Sequence, residues 1–289
     1  MGARERDPFS GYRTTGHEWD GIKELETPIP IWWLTVFIGS CFVALAYLWL
    51  YPSFATTGDY FKGALGWTSK GQLLEDLAAG KAAQTQWLSA LAAKPLARIE
   101  EDEELRRFAT AGGRAAFQEV CAPCHGVGAG GQIGQFPALI DDDWLWGGRI
   151  EDIHQTIRFG IRSGHEEARD SAMPAFGEFL TPAEIGQVAD YVLTLSDPDA
   201  AGQRDAMAGA AIFAQNCASC HGEKGEGGRD FGAPRLNDAI WLYGSSRQAV
   251  MRQITNPRMG VMPAFSERLD PETIRMLAVY VHTLGGGER

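Results

Sequence analysis

The chain of 289 residues is poor in the residues that build disulfide frameworks, metal clusters and nucleic-acid surfaces. It has five cysteines and six histidines. Four of the cysteines stand as two tight pairs and Cys41 stands alone, so no disulfide framework is left to build. Basic residues are outnumbered, 26 against 37 acidic, giving a formal charge of −11. A nucleic-acid binder would show a basic stripe, and none is present. Strand-like alternation of apolar and polar residues is also missing, which excludes the βαβ setting of a thioredoxin-type dithiol and points to an all-α chain. Only one long apolar run occurs: residues 31–51 carry no charge. That length spans a bilayer core. Trp32 and Trp33 at one end, and Tyr47, Trp49 and Tyr51 at the other, read as interfacial aromatic belts. A cleaved signal peptide is excluded by the length of the run, the polar preface of residues 1–30, and the lack of a small-residue cleavage site. Cys41 lies within the span and is expected to have no redox task.

What the chain does have is a motif used twice. Cys121-Ala122-Pro123-Cys124-His125 is echoed by Cys217-Ala218-Ser219-Cys220-His221. C-x-x-C-H is the attachment signature of c-type haem. Two thiols on one turn reach the two vinyl groups of a porphyrin, and the histidine that follows lies over the iron. Zinc is the competing reading of two Cys pairs. It requires the pairs much closer in sequence than these stand, roughly 12–20 residues apart.

The motif is one part of a longer repeat. Gly113 and Phe117 precede the first copy as Gly209 and Phe213 precede the second. Trp144-Leu145-Trp146-Gly147 is echoed by Trp241-Leu242-Tyr243-Gly244, and Met173-Pro174-Ala175-Phe176 by Met262-Pro263-Ala264-Phe265. Closing helices are expected around Tyr191 and Tyr280, and turn-rich residues 196–202 read as a linker. Between the span and the first repeat, residues 52–106 read as a helical connector capped near Thr68 or Ser69 and interrupted at Pro95. The boundaries are therefore 1–30 for a cytoplasmic N-terminal segment, 31–51 for the transmembrane helix, 107–197 for one repeat and 203–289 for the other.

Each repeat resembles a class I cytochrome c domain. The resemblance implies a first helix entering the haem motif, a last helix crossing it, and a loop methionine over the haem's other face. Gly113, Phe117 and Tyr191, and Gly209, Phe213 and Tyr280, match the crossing, each set within its own repeat. A glycine lets two helices approach closely while aromatic rings fill the gap beside it. Of seven methionines, only Met173 and Met262 precede Pro-Ala-Phe, and these are the expected axial ligands opposite His125 and His221. The sequence leaves open whether each methionine serves its own repeat's haem or the other's. His154, His165 and His282 are read as surface or hydrogen-bonded residues. Trp144 and Trp241 pack either at a haem edge or simply in a core. Arg114, Arg149 and Arg235 are candidates to hold haem propionates.

The segment from Gly16-His17-Glu18-Trp19-Asp20-Gly21-Ile22 through Trp32-Trp33 resembles the N-terminal entry of the dihaem subunit of cbb3-type cytochrome c oxidase, the CcoP/FixP-like family. Thr27 and Ile31 depart from that pattern. The resemblance implies two covalent haem c groups, a donor cytochrome c, a monohaem c subunit and a catalytic haem–copper subunit as partners, and a respiratory relay with no active site of its own. His17 then contacts the oxidase core. Haem attachment on the outer side of the inner membrane implies periplasmic haem domains and a cytoplasmic N-terminus, with Arg4, Arg6, Arg13 and Lys23 before the span in agreement. A free-standing tethered carrier and a dihaem peroxidase are the competing readings. The two Met-Pro loops argue against the peroxidase.

Overall fold

The computed structural model describes residues 4–197 and 203–288, with the side chains of 203–206 outside the description. The linker expected at 196–202 lies mostly outside the described residues. The chain divides near residue 83 into two compact units.

The first unit begins with an antiparallel hairpin, β1 (Thr14–Trp19) and β2 (Ile22–Leu25). The chain is mostly helical, but this hairpin corrects the all-α expectation. Its cause is local: Asp20 and Gly21 both take positive φ, 47° and 86°, as the favoured two-residue hairpin turn demands. Glu24 accepts from Trp19 Nε1 at 3.0 Å and from Thr15 Oγ1 at 3.1 Å, which pins the register. His17, on the same hairpin, lies 3.5 Å from Glu24.

Helix α1 (Ile31–Leu50) is the one helix among the described residues long and apolar enough to cross a bilayer. None of its residues is buried by protein. Its last carbonyls would be orphaned without partners. The following loop supplies them: Ala64 N–H donates to Trp49 O at 2.9 Å and Leu65 N–H to Leu50 O at 3.1 Å. Gly63, at φ +77°, sits where any Cβ would strike the Leu50 carbonyl.

Helix α2 (Ser69–Ala93) starts where Thr68 Oγ1 accepts from Gly71 N–H at 2.9 Å and ends before Pro95. The short α3 (Leu96–Ile99) follows. In the second unit, Asp102 caps α4 (Glu103–Ala116) by accepting from Leu105 N–H at 3.2 Å, and Glu103 and Glu104 favour its first turn. One wide π-type turn (Phe117–Cys121) leads into α5 (Ala122–His125), and α6 (Ile150–Phe159) comes after a long loop. Helix α7 (Pro182–Ser196) opens with a capping box between Thr181 and Glu184. The second repeat gives α8 (Gln203–Asn216), α9 (Ala218–His221), α10 (Arg247–Thr255) and α11 (Pro271–His282).

These helices pack as two bodies that do not coincide with the two repeats. Helix α4 crosses α11, the last helix of the other repeat, and α7 crosses α8. In the first body Phe117, Leu105, Ile153 and Ile157 share a core with Leu277, Val279 and Phe265. In the second, Phe213, Val250 and Ile254 share a core with Ile185, Val188 and Val192. Phe117 meets Tyr280 with ring centroids 5.4 Å apart, and Phe213 meets Tyr191 at 5.2 Å. The expected crossing of Gly113 and Phe117 with Tyr191 is therefore corrected. The residue types were right and the partners were exchanged. Residues 197–202 are too short to carry α8 away from α7, and neighbouring helices joined by a short connection pack together. With α7 taken, α4 is left to α11. Segments 107–197 and 203–289 thus delimit sequence repeats, and each body draws on both.

The exchange predicts which aromatic pairs are energetically coupled. In a double-mutant cycle of unfolding free energies, Phe117→Leu with Tyr280→Leu should show coupling of about 0.5–1.5 kcal/mol. Phe117→Leu with Tyr191→Leu should be additive within about 0.5 kcal/mol. The reverse pattern would restore the crossing within each repeat.

Candidate haem sites

Each Cys-x-x-Cys-His segment occupies a single helical turn that stops immediately after its histidine. Gly126 and Gly222, at φ 79° and 80°, turn the chain away. The returning loop closes on the motif, with Gly131 N–H donating to His125 O at 2.8 Å and Gly227 N–H to His221 O at 2.7 Å. Pro137 O lies 3.0 Å from His125 Nδ1, and Pro234 O lies 3.0 Å from His221 Nδ1. A carbonyl can only accept, so Nδ1 carries the proton and Nε2 is left with its lone pair free for a metal. Burial lowers both histidine pKa values, and the bond to the proline carbonyl opposes the shift. Both effects suit a neutral imidazole ligand.

All four motif cysteines are unpaired. Burial, reinforced by the second thiol of each pair, pushes Cys121 and Cys217 up to about 11.

The two methionines lie across the exchange. Met262 packs on the first body's core, which includes Cys121, and Met173 packs on the second body's core, which includes Cys217. Their loops are held differently. Met262 N–H donates to Ile161 O at 3.0 Å, and Ile161 N–H returns the bond to Met262 O at 2.9 Å. Gly160 makes room for this pairing, since a Cβ there would strike Met262 O. Met173's loop turns at Phe176–Glu178 and rests Gly177 against Thr255.

Trp144 packs on the first core and donates Nε1–H to Gly286 O at 2.5 Å, and Trp241 packs on the second core. Of the remaining histidines, His165 and His282 have hydrogen-bond partners. Burial, with the Arg158 and Arg275 charges, lowers His154 to about 4. His165 Nδ1 accepts from Glu167 N–H at 3.0 Å. His282 sits between Glu100 at 2.7 Å and Glu288 O at 2.8 Å. Of the arginines singled out in the sequence, Arg149 bonds Asp152 at 3.0 Å. Sequence reading missed Arg169, whose Nε is buried without a partner. No motif surrounds it, so no sequence signal marks it.

These features fit covalently attached haem: paired thiols on one turn, a neutral imidazole beside them, and a thioether in the same core. An anchored chain with such sites is a membrane-tethered c-type cytochrome. The comparisons with known proteins carry the assignment further. Residues 11–58 match the N-terminal domain of cytochrome oxidase-cbb3, FixP. Residues 108–192 and 204–281 match cytochrome c oxidase, cbb3-type, subunit III. A cbb3-type cytochrome c oxidase subunit FixP from Azorhizobium caulinodans is 48% identical over 282 residues, covering 98% of this chain and 96% of its own. The subunit CcoP of Azospirillum brasilense is 46% identical, with 100% of each chain covered. The chain belongs to the cbb3-type oxidase subunit III family, the cytochrome c subunit that transfers electrons in that oxidase.

An acidic group between the repeats gives a pH prediction. Burial raises Asp143 to about 6, helped by Asp238 and Asp141 and opposed by Arg235. A carboxyl raised in the folded state favours folding only while protonated. Its contribution is present below the unfolded pKa of about 4 and is lost as pH rises through about 6. Asp143→Asn should therefore stabilise the protein near pH 7 by about 1 kcal/mol, discounted for partial exposure. The gain should vanish below about pH 4 in denaturant titrations.

Proposed function

We propose that this chain relays single electrons from a donor cytochrome c through two covalently bound haem c groups. The acceptors are the monohaem c subunit and the catalytic haem–copper subunit of the oxidase, where oxygen reduction is coupled to proton pumping. Cys121 and Cys124 hold one group, with His125 and Met262 as axial ligands. Cys217 and Cys220 hold the other, with His221 and Met173. The N-terminus is cytoplasmic, α1 crosses the inner membrane once, and both haem bodies are periplasmic. When bound, haem c supplies a one-electron iron couple.

The protein's part is to close both faces of that couple. The Pro137 and Pro234 carbonyls fix the imidazole tautomer, and a thioether ligand raises the potential. With a histidine and a methionine both held for its iron, each haem would have no open site for oxygen or peroxide, and the chain would pass electrons without an active site of its own. The observation that carries this reading is the presence of a Met-Pro loop in the same core as each Cys-x-x-Cys-His turn. Because α4 and α8 each pair with a helix of the other repeat, each haem takes its methionine from the other repeat as well.

Mild-detergent purification through a tag on this chain tests the partners. A multi-span subunit carrying b-type haem and copper should co-purify, with oxygen uptake on reduced cytochrome c. Arrival of this chain alone would instead make it a free-standing carrier. The ligand exchange is tested in a chain whose second haem motif is disabled by Cys217→Ala and Cys220→Ala. There Met262→Ala should abolish the methionine-ligated spectrum of the remaining haem and open it to carbon monoxide. Met173→Ala should leave that spectrum unchanged.

A further inference from the structure

The loop that follows α1 groups apolar side chains that no described residue covers. Phe54 is 63% exposed and Leu65 57%, and Tyr60, Phe61 and Trp67 are exposed as well. Exposed apolar side chains standing together mark a contact site, whereas scattered ones need no explanation. These stand beside the end of the apolar helix. Phe61 meets Trp49 with ring centroids 6.0 Å apart, and Trp67 meets Tyr51 edge-on at 5.8 Å. Tyr51 in turn stacks on Tyr47 at 4.7 Å. The aromatic belt read from Tyr47, Trp49 and Tyr51 therefore continues into chain beyond the helix.

The loop's polar groups are turned inward. Ser53 N–H donates to Phe61 O at 3.0 Å and Phe61 N–H to Phe54 O at 2.9 Å, while Ala55 bridges to Tyr60. Ser53 Oγ donates to Leu48 O at 2.9 Å, within the last turns of α1. Ala64 and Leu65 answer the Trp49 and Leu50 carbonyls, so both ends of the loop are bonded to the helix end. Where water is scarce, backbone groups have to find such partners within the protein. Residues 52–67 carry one acid and one base, Asp59 and Lys62, and these lie 3.5 Å apart. The loop has no net charge with which to select a partner of either sign.

We propose that residues 52–67 lie in the lipid interface at the C-terminal end of α1, forming a second membrane contact that fixes how deep the helix sits. The proposal rests on the reading of α1 as a membrane span. Continuity favours phospholipid over a protein partner: the loop's rings touch those at the helix end, so both share one level along α1. Tyrosine and tryptophan join an apolar ring to a polar tip and suit the boundary between headgroups and acyl chains. A paired acid and base add no demand for anionic lipid. Gly63 and the two carbonyl bonds weld the loop to the last turn, so the depth of one sets the depth of the other.

The test is photo-crosslinking of the full-length chain in the membranes of the cells that make it, supplied with phospholipid radiolabelled in its acyl chains. The crosslinker p-benzoylphenylalanine replaces Phe54, Leu65 or, as a reference, Phe42. Phe42 is 69% exposed near the middle of α1 and reports on the span alone. Irradiation should attach lipid label to the chain from both Phe54 and Leu65, at a level approaching that from Phe42. Label from Phe42 but not from either loop position would overturn the proposal. Loop adducts to another oxidase subunit in place of lipid would overturn it too, making the patch a subunit contact. Absence of lipid label from Phe42 as well would instead strike at the reading of α1 as a span.

Discussion

Everything in the second unit depends on two places where helix backbones touch. At Gly113 a Cβ would strike the carbonyl of Met276, and at Gly209 it would strike the carbonyl of Gln187. Contact that close fixes the rotation of each helix about its own axis as well as its separation from its partner. Fixing α4 and α8 in this way fixes the turn that each feeds, since only one wide turn separates Phe117 from Cys121. The cysteines and histidine of a motif are thus aimed by a glycine lying outside the motif.

The exchange of partners makes the two repeats interdependent. Neither repeat has a complete core alone: Phe117 needs α11 and Phe213 needs α7. The last helix of the chain is consequently a hub. Arg275 on α11 donates to Leu91 O at 3.0 Å and also to Lys94 O, answering orphaned carbonyls at the end of α2. His282, near the same helix's end, reaches Glu100 at 2.7 Å. The end of α2 and the residue after α3 are thus tied to residues contributed by the second repeat.

Much of this was legible before any coordinates. The charge-free run at 31–51, the doubled Cys-x-x-Cys-His and the doubled Met-Pro-Ala-Phe are local patterns whose chemistry follows from spacing. Asp20-Gly21 is equally local and equally strong as a hairpin signal, but the segment around it is polar and offers no apolar face to mark it as strand. The pairing of helices was not legible, for a physical reason. Tyr191 and Tyr280 offer nearly the same surface to either glycine, so side-chain pattern cannot choose between partners. The choice falls to the short connection at 197–202. Arg169 was invisible for another reason: its unmet hydrogen bond and shared counter-ion do not exist until the chain is folded.

Near-identical motifs need not give identical sites. The Met262 loop is laced to Ile161 by two backbone hydrogen bonds. The segment after α10 offers Asn256-Pro257, and a proline has no N–H with which to make the matching bond. In the first body Asp152 tempers the Arg169 cation over Trp146, whereas the Arg258 cation over Tyr243 meets a backbone carbonyl. An electron relay gains from such inequality, because two couples of equal potential give no preferred direction. The repeat provides two sites from one plan. Single residues at their edges, a proline here and an aspartate there, are enough to make them different.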